Sequence, residues 1–382
     1  MESADVLIIG GGIIGLSIAY HLARRGGLRI VVAERAARVG TGSTAKATGG
    51  IRHQFSSEVN IRLTQLSLPA FQRFDEEMGE PVDLVQHGYL FVTARPGAVE
   101  AMRAGLRLQQ SLGVPSRWVA PEETQALFPG LRSDDLAGGT FCPIDGSASP
   151  YGAVQGYLRR CLDLGVQVHT GEEVIGVEVR GNAVQGVRAP GRVYAAPAVV
   201  NTAGPHAREV AAMVGVDLPV HPYRRQVFVM SPLPGLPRGL PLTVDIDTGW
   251  YVHQDRAGAL LVGGTDKDSR PGLEEIVDWD GFDAVARAAL HRVPPMRHAR
   301  VARAYAGIRS LTPDFHAILG AVPGLRGFYC ANGFSGHGFM HAPAVGLLMA
   351  EEILDGGATT LDLAPLAITR FAGGARAEAT AF

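Results

Sequence analysis

The sequence predicts an α/β domain with a parallel sheet, interrupted twice by an α+β domain with a mixed, largely antiparallel sheet. Strand and helix patterns alternate in residues 1–81, 142–219 and 306–382, as parallel sheets require. Residues 82–141 and 220–305 are richer in Pro, Trp and strand alternation. A chain of 382 residues also exceeds the usual single-domain range. These observations predict one discontinuous α/β domain and a second domain inserted into it.

The first 34 residues read as one βαβ unit. Asp5–Ile9 is a short, continuous apolar run, and Ile13–Arg25 then shows apolar residues at helical spacing. Leu28–Ala33 is a second β-branched run, and it ends at Glu34. Runs without polar alternation are typical of parallel strands that are buried on both faces.

Later segments continue both patterns. The sequence predicts a helix at Tyr151–Leu164, strands around Val166 and at Val174–Val179, Val184–Val187, Ala198–Thr202 and Gly327–Ala331, and a helix at Ala342–Leu354. The segment Gly249–Val262 alternates like strands of the second domain, and a Gly/Ala-rich tail from Ala372 is expected to be frayed.

Composition excludes several classes of protein. The formal net charge is -2 and no long basic run is present, which argues against a nucleic-acid partner. The apolar stretch Val6–Tyr20 has no basic leader and carries four glycines, so it predicts a strand and a loop rather than a signal peptide or a membrane span. Three cysteines without metal-ligand spacing favour a reducing compartment, and we expect a cytoplasmic location.

The βαβ unit carries a dinucleotide motif, Gly10-x-Gly12-x-x-Gly15. The first glycine permits the turn, the second lets the backbone approach a pyrophosphate, and the third permits close helix packing. The N-terminus of the helix then receives the anion. Glu34 follows Gly15 at the end of the next strand, where its carboxylate can accept hydrogen bonds from a ribose. The sequence therefore predicts a Rossmann-like site, although this unit alone does not separate NAD from FAD.

Three further segments favour FAD. They would have to converge on one extended ligand, and FAD is long enough to contact all of them. They are the loop Gly42–Thr44, the strand end Ala203–Gly204 and the glycine-rich loop Gly333–Gly338. The last loop feeds a helix whose positive end can stabilise negative charge on a flavin.

At these residues the chain resembles the D-amino-acid oxidase superfamily, and within it the sarcosine oxidase and glycine oxidase branch. The resemblance covers nearly the whole length and rests on GGGIIG from Gly10, GSTAKATGGIRHQF from Gly42, NTAGPHA from Asn201, AGIRSLTPD from Ala306 and NGFSGHGF from Asn332. It implies an FAD-binding domain of the GR2 type and a substrate domain that covers the isoalloxazine face. It also implies oxidation of a C–N bond to an imine, which water hydrolyses.

The resemblance also implies roles for particular residues. Arg52 matches a position where sarcosine oxidases hold the substrate carboxylate, Arg309 matches the corresponding arginine of glycine oxidases, and Tyr251 aligns with a substrate-contacting tyrosine. A guanidinium can clamp a carboxylate bidentately. His337 and His53 can place an imidazole near the flavin or the substrate, and a packing role is the alternative for both.

Motif and resemblance together predict a set of cofactor-binding residues: Gly10, Gly12, Ile13, Ile14, Gly15, Glu34, Arg35, Gly42, Ser43, Thr44, Thr48, Gly49, Gly50, Val174, Ala203, Gly204, Gly307, Gly333, Gly336, His337, Gly338, Phe339 and Met340. No metal ligands are predicted.

The chain departs from sarcosine oxidases at three positions. Their flavin-linking cysteine is replaced by Gly307, which predicts non-covalent FAD. A carboxylate-binding lysine is replaced by Met340, and an oxygen-activating lysine by Leu261. Met340, Met230 and Phe339 suggest a larger apolar pocket, and hence an N-alkylglycine substrate.

The leading functional hypothesis is an FAD-dependent amine or amino-acid oxidase whose substrate carries a carboxylate and whose reduced flavin gives hydrogen peroxide with oxygen. One alternative is a β-type subunit of a proline or sarcosine dehydrogenase, which passes electrons to another acceptor. A second alternative is a non-catalytic FAD-binding assembly factor. The sequence leaves the oligomeric state open.

Overall fold

A computed structural model describes residues 2–264, 270–374 and 377–380. Its strands are β1 (Glu2–Ser3), β2 (Val6–Ile9), β3 (Ile30–Glu34), β4 (Gly50–Ile51), β5 (Tyr89–Thr93), β6 (Arg117–Val119), β7 (Gly138–Cys142), β8 (Gly146–Ser147), β9 (Gln167–Thr170), β10 (Gly176–Arg180), β11 (Ala183–Ala189), β12 (Arg192–Ala195), β13 (Ala198–Asn201), β14 (His221–Met230), β15 (Leu242–Asp245), β16 (Trp250–Gln254), β17 (Leu260–Gly263), β18 (Val301–Leu311), β19 (Ile318–Ala321) and β20 (Phe328–Asn332).

The α-helices are α1 (Ile13–Arg24), α2 (Glu58–Gln72), α3 (Phe74–Met78), α4 (Pro96–Ser111), α5 (Pro121–Leu127), α6 (Pro150–Asp163), α7 (Ala207–Ala212), α8 (Phe282–Arg292) and α9 (Gly338–Asp355). Short 3₁₀ helices lie at Ser43–Lys46, Gly204–His206, Pro294–His298, Ala364–Leu366 and Ile368–Gly373.

A six-stranded sheet forms the centre of the α/β part, in the order β19-β20-β13-β2-β3-β9. All its pairs are parallel except β19 with β20. Strands β2 and β3 pair from Val6 with Ile30 to Ile9 with Ala33, and β2 is buried along its length. Both faces of the sheet are covered, which explains why these strands lack polar alternation.

The two faces of this sheet have different covers. Helices α1, α6 and α9 pack on one face, where Ile8 and Val32 of the sheet meet Leu16 and Val345 of the helices. A four-stranded sheet, β1-β12-β11-β10, and helix α7 cover the other face, where Leu7 and Val31 belong to a second apolar core.

The second large sheet has eight strands in the order β18-β14-β17-β16-β15-β5-β7-β6. It is mixed, because β15 and β5 run parallel and the other pairs are antiparallel. Strands β14 and β18 form a long pair from His221 with Leu311 to Met230 with Val301. One face carries a separate core that includes Trp250 and Val262, together with Val293 just after α8. The other face meets the α/β part of the molecule.

The fold class predicted from the sequence is confirmed. The domain boundaries stay a prediction, since β18 continues through the proposed boundary at residue 306. Helix α9 begins at Gly338 rather than at Ala342. The prediction of a frayed tail from Ala372 is wrong for the described part, because Ile368–Gly373 forms a 3₁₀ helix and Glu378 is buried, while residues 375, 376, 381 and 382 lie outside the described chain. Within the described residues, no helix is long and apolar enough to cross a membrane.

Candidate functional site

A cavity of about 720 Å³ extends from the carboxyl ends of the parallel strands to the exposed face of the eight-stranded sheet. The ends of β2, β3, β13 and β20 contribute Ile9, Glu34, Thr202 and Asn332 to its wall. Ligands of open α/β sheets bind at this edge. The predicted cofactor-binding residues line the cavity, with the exception of Gly15.

The glycine turn after β2 tolerates no side chain at two positions. Gly10 has φ +111°, and a Cβ there would lie 2.6 Å from the carbonyl oxygen of Thr202. A Cβ on Gly15 would lie 2.0 Å from the carbonyl oxygen of Gly10. Gly15 therefore lets α1 pack against the turn without facing the cavity, which agrees with the packing role expected of the third glycine.

The N-terminus of α1 points its positive end toward this part of the cavity. Gly12, Ile13 and Ile14 line the wall, and Gly12 offers no side chain to cap the helix. The Thr44 hydroxyl lies beside it and accepts a hydrogen bond of 3.2 Å from the Ile13 amide. Exposed amides at a helix N-terminus bind phosphate groups, so this wall fits a pyrophosphate.

Glu34 marks the far end of the cavity. One carboxylate oxygen accepts from the Gly11 amide and the other from the Ala36 amide, both at 2.7 Å. These bonds fix the carboxylate and leave lone pairs for the hydroxyls of a ribose. Arg35 and Val174 line the same end. The glycine turn, the N-terminus of α1 and the fixed carboxylate of Glu34 therefore fit the ADP half of FAD.

The opposite end of the cavity is built on the eight-stranded sheet. Arg225 of β14, Tyr251 of β16 and Arg309 of β18 all line the cavity. Arg225 shares a face of the sheet with Tyr223, two residues away on β14, and Tyr223 pairs with Arg309. Tyr89 of β5 and Arg52, just after β4, complete this end. Burial raises the pKa of both tyrosines, so both remain neutral hydroxyl donors near pH 7.

Arg309 presents its guanidinium to the cavity. Among the described residues, no carboxylate or carbonyl pairs with it, and burial lowers its pKa. Gly336 makes room for it, because a Cβ at Gly336 would lie 2.7 Å from Nε of Arg309. A half-buried cation without a protein partner is costly unless a ligand supplies the anion. Arg309 therefore has the surroundings of an anion-binding group.

Arg52 has quite different surroundings. Its side chain is 4% exposed and packs over the ring of Phe55. One terminal nitrogen, Nη1, donates to the carbonyl of Gln54 and to the hydroxyl of Thr380, and the other, Nη2, donates to Nε2 of His337 at 3.2 Å and to the carbonyl of Thr380 at 2.8 Å. The four terminal N–H groups of this guanidinium therefore all have acceptors within the chain.

This contact also fixes the state of His337. A guanidinium can only donate, so Nε2 of His337 must accept, and the neutral ring carries its proton on Nδ1. Burial, followed by the charge of Arg52, lowers the pKa of His337 well below its usual value. His337 is thus a neutral imidazole at the start of α9, and its Nε2 lone pair is already engaged.

One sequence hypothesis about the pocket needs correction. Phe339 and Met340 line the cavity, but Met230 does not, because it alternates with Val229 on β14 and packs on the opposite face of the sheet. Leu261 lines a separate, neighbouring cavity of about 920 Å³ and not the main one. The apolar wall is therefore made by α9 rather than by β14.

The structure also shows where sequence reasoning was incomplete. His53 faces away from the cavity, since its Nδ1 pairs with buried Asp145 at 2.7 Å. Tyr89 and Arg225 line the cavity and were missed, because neither β5 nor β14 shows a regular polar alternation in sequence. His53, Asp145 and Cys142 bring ligand-type atoms within 4.8 Å of one another, a cluster that the sequence did not predict.

Comparisons with known proteins agree with this geometry. Residues 5–352 match the model of the FAD dependent oxidoreductase family, DAO. This chain belongs to that family, and its cofactor is FAD. The predicted resemblance to the sarcosine and glycine oxidase branch is confirmed by this match together with the similarity to glycine oxidase and to sarcosine dehydrogenase.

Individual relatives cover most of the chain. It is 30% identical to FAD-dependent oxidoreductase domain-containing protein 1 of Xenopus laevis, over 97% of this chain and 83% of that protein. It is also 30% identical to the mitochondrial sarcosine dehydrogenase of Homo sapiens, over 93% of this chain. The chain spans only 40% of that dehydrogenase, which is therefore a much longer protein.

Two solved structures superpose closely. L-proline dehydrogenase from P. horikoshii has a TM-score of 0.92 at 30% identity, with 98% of this chain and 99% of that chain covered. Glycine oxidase from Geobacillus kaustophilus has a TM-score of 0.86 at 27% identity, with 97% and 99% covered.

Proposed function

We propose that this enzyme oxidises the C–N bond of a small amino acid or N-substituted glycine to an imine, which water then hydrolyses. The observation that carries the proposal is the Arg309 guanidinium, which faces the cavity without an anionic partner among the described residues. A substrate carboxylate is the chemically matched partner. The similarity to glycine oxidase and to sarcosine dehydrogenase supports the same substrate class.

The side chains at this end of the cavity bind and orient the substrate. Arg309 holds the carboxylate bidentately, while the hydroxyls of Tyr89 and Tyr251 are neutral donors beside it. Phe339 and Met340 give an apolar wall for the substituent on nitrogen. When bound, FAD supplies the acceptor for the two electrons that the C–N bond loses. The cysteine that would link it covalently is replaced by Gly307, so we propose that FAD is held non-covalently.

The pH dependence of kcat/KM tests the protonation states of the cavity. Burial keeps His337 neutral and raises the pKa of Tyr89 and Tyr251, so none of these groups changes charge between about pH 6 and pH 9. We expect kcat/KM to rise with pH only as the substrate ammonium loses its proton. Amines of different basicity should shift the profile in step with their own pKa values, whereas a fixed inflection near pH 6 to 7 would implicate a histidine.

Substrate preference tests the apolar wall. Because Phe339 and Met340 face the cavity, N-alkylglycines with longer chains should have higher kcat/KM than sarcosine or glycine, by about 15- to 60-fold for two or three buried methylenes. The comparison is one series of N-methyl-, N-propyl- and N-pentylglycine at fixed pH. A flat series or a preference for glycine would contradict the N-alkylglycine proposal and leave the amino-acid class intact.

The electron acceptor is proposed to be oxygen, with hydrogen peroxide as the second product. A dehydrogenase that uses another acceptor is the second candidate, and the similarity to L-proline dehydrogenase from P. horikoshii favours it. Turnover in air, with stoichiometric peroxide, supports the oxidase. Turnover only with an artificial acceptor under nitrogen supports the dehydrogenase.

We also propose a cytoplasmic location, because the three cysteines are buried free thiols.

A further inference from the structure

The segment 377–380 is bound to the body of the protein through Glu378. This side chain is 2% exposed and lies at the N-terminus of α2. Its carboxylate accepts from the amide and hydroxyl of Ser56, from the hydroxyl of Ser57 at 2.6 Å and from Asn60 at 3.2 Å. Burial alone would raise its pKa, but these hydrogen bonds lower it to about 2. A carboxylate at a helix N-terminus also interacts favourably with the helix dipole.

A second attachment lies just before this segment. Arg370 makes a bidentate ion pair with Asp314, with N···O distances of 2.7 and 3.0 Å. Both side chains are nearly buried, at 9% and 4% exposure. The amide of Glu378 donates to the carbonyl of the same Asp314 at 2.9 Å. Asp314 lies three residues after the end of β18, so the segment is fixed to the loop that follows the strand of Arg309.

These attachments hold Thr380 against the guanidinium of Arg52. The Thr380 carbonyl accepts from Nη2 at 2.8 Å, and its hydroxyl lies 3.4 Å from Nη1. Two oxygen atoms of one residue thus face the two terminal nitrogens of an arginine, which is the arrangement that a bound carboxylate would adopt. Gln54 and His337 accept from the same two nitrogens.

We propose that the segment Glu378–Thr380 determines which arginine of the cavity binds the substrate carboxylate. By occupying the terminal nitrogens of Arg52, Thr380 leaves the carboxylate to Arg309. The segment is therefore a specificity-determining element, and it fixes the position of the substrate with respect to the apolar wall. The identity of the anion as a substrate carboxylate rests on the proposed function.

Binding of simple carboxylates tests this inference without turnover. Acetate and malonate are titrated into the FAD-loaded protein, and the dissociation constants are read from the change in the visible spectrum. A chain that ends before Glu378 removes the two Thr380 oxygens from Arg52, so acetate should bind roughly three- to tenfold more tightly and the dicarboxylate should gain more. Glu378→Ala should give part of this gain in affinity. Thr380→Val should give the smallest gain, because it keeps the carbonyl that accepts from Arg52.

The decisive comparison is the same truncation with Arg52→Met. If Arg52 is the group that the segment occupies, the truncation should produce no gain in this background. Unchanged or weaker binding in the truncated chain, or a gain that survives Arg52→Met, would overturn the proposal. If the shortened chain does not fold, the same comparison can be made with Glu378→Ala. Its carboxylate affinity is then measured with and without Arg52→Met.

The two proposals fail in different ways. If the full-length protein binds no carboxylate at all, Arg309 is not an anion site and the proposed function loses its support. A gain on truncation that depends on Arg52 would still establish the role of the segment.

Discussion

Replacing Arg309 by Met should lower kcat/KM for a carboxylate-bearing amine by about 30- to 5,000-fold, because removal of one partner of a buried charge pair costs about 2–5 kcal/mol. The guanidinium faces the cavity, and no carboxylate or carbonyl of the described chain pairs with it. Stability should not fall, since burial already disfavours this charge in the free protein. Steady-state kinetics measure the change in kcat/KM, and a melting curve of the same preparation measures the change in stability.

Arg303→Met is the matched control for this prediction. Arg303 lies six residues earlier on the same strand, is exposed, and lines the neighbouring cavity instead. Its substitution should leave kcat/KM within about twofold, as expected of a surface change. An Arg309→Met enzyme with normal kcat/KM would mean that the carboxylate is held elsewhere, and Arg225 would be the next arginine to test.

Gly15→Ala should yield a colourless protein that no longer retains FAD. The new Cβ would lie 2.0 Å from the Gly10 carbonyl oxygen and 2.8 Å from the Thr202 hydroxyl, so α1 must move away from the turn. Overpacking of this kind costs about 1–3 kcal/mol of stability. The displaced helix would also withdraw its N-terminal amides from the pyrophosphate. The absorbance ratio of visible to ultraviolet bands in the purified protein measures the loss.

Gly97→Ala provides the corresponding control. Gly97 lies in the first turn of α4, is exposed, and has open space where a Cβ would be built. This variant should keep a full complement of FAD and equal or slightly higher stability. Yellow Gly15→Ala protein with normal flavin content would contradict the assigned packing role of Gly15.

The sequence was most informative where backbone geometry dictates residue type. The turn at Gly10 and the packing of Gly15 can be inferred from spacing, because the steric demands of a strand–turn–helix unit are local. The end of β3 at Glu34 follows from the same unit. The helix start at Gly338 was less accessible, since glycines at helical positions look like loop residues in sequence.

The substrate end of the cavity was harder to predict, because it depends on contacts between distant strands. Arg52 and Arg309 look equivalent in sequence, and only the tertiary hydrogen bonds of Arg52 separate them. The decisive partner, Thr380, lies 328 residues away in a Gly/Ala-rich tail without periodicity. Met230 was misplaced because the register that turns it away from the cavity is set by pairing with β18.

The most direct test of the central claim is an anaerobic titration of the purified wild-type protein. Its visible spectrum is followed during addition of glycine, sarcosine, proline and N-pentylglycine, together with N-methylpentylamine, which lacks the carboxylate. We predict that at least one of the amino acids bleaches the flavin band and that the amine without a carboxylate does not. The account would be contradicted if the oxidised spectrum persisted with every amino acid. It would also be contradicted if the simple amine bleached the flavin equally well, because Arg309 would then not recognise the substrate by its carboxylate.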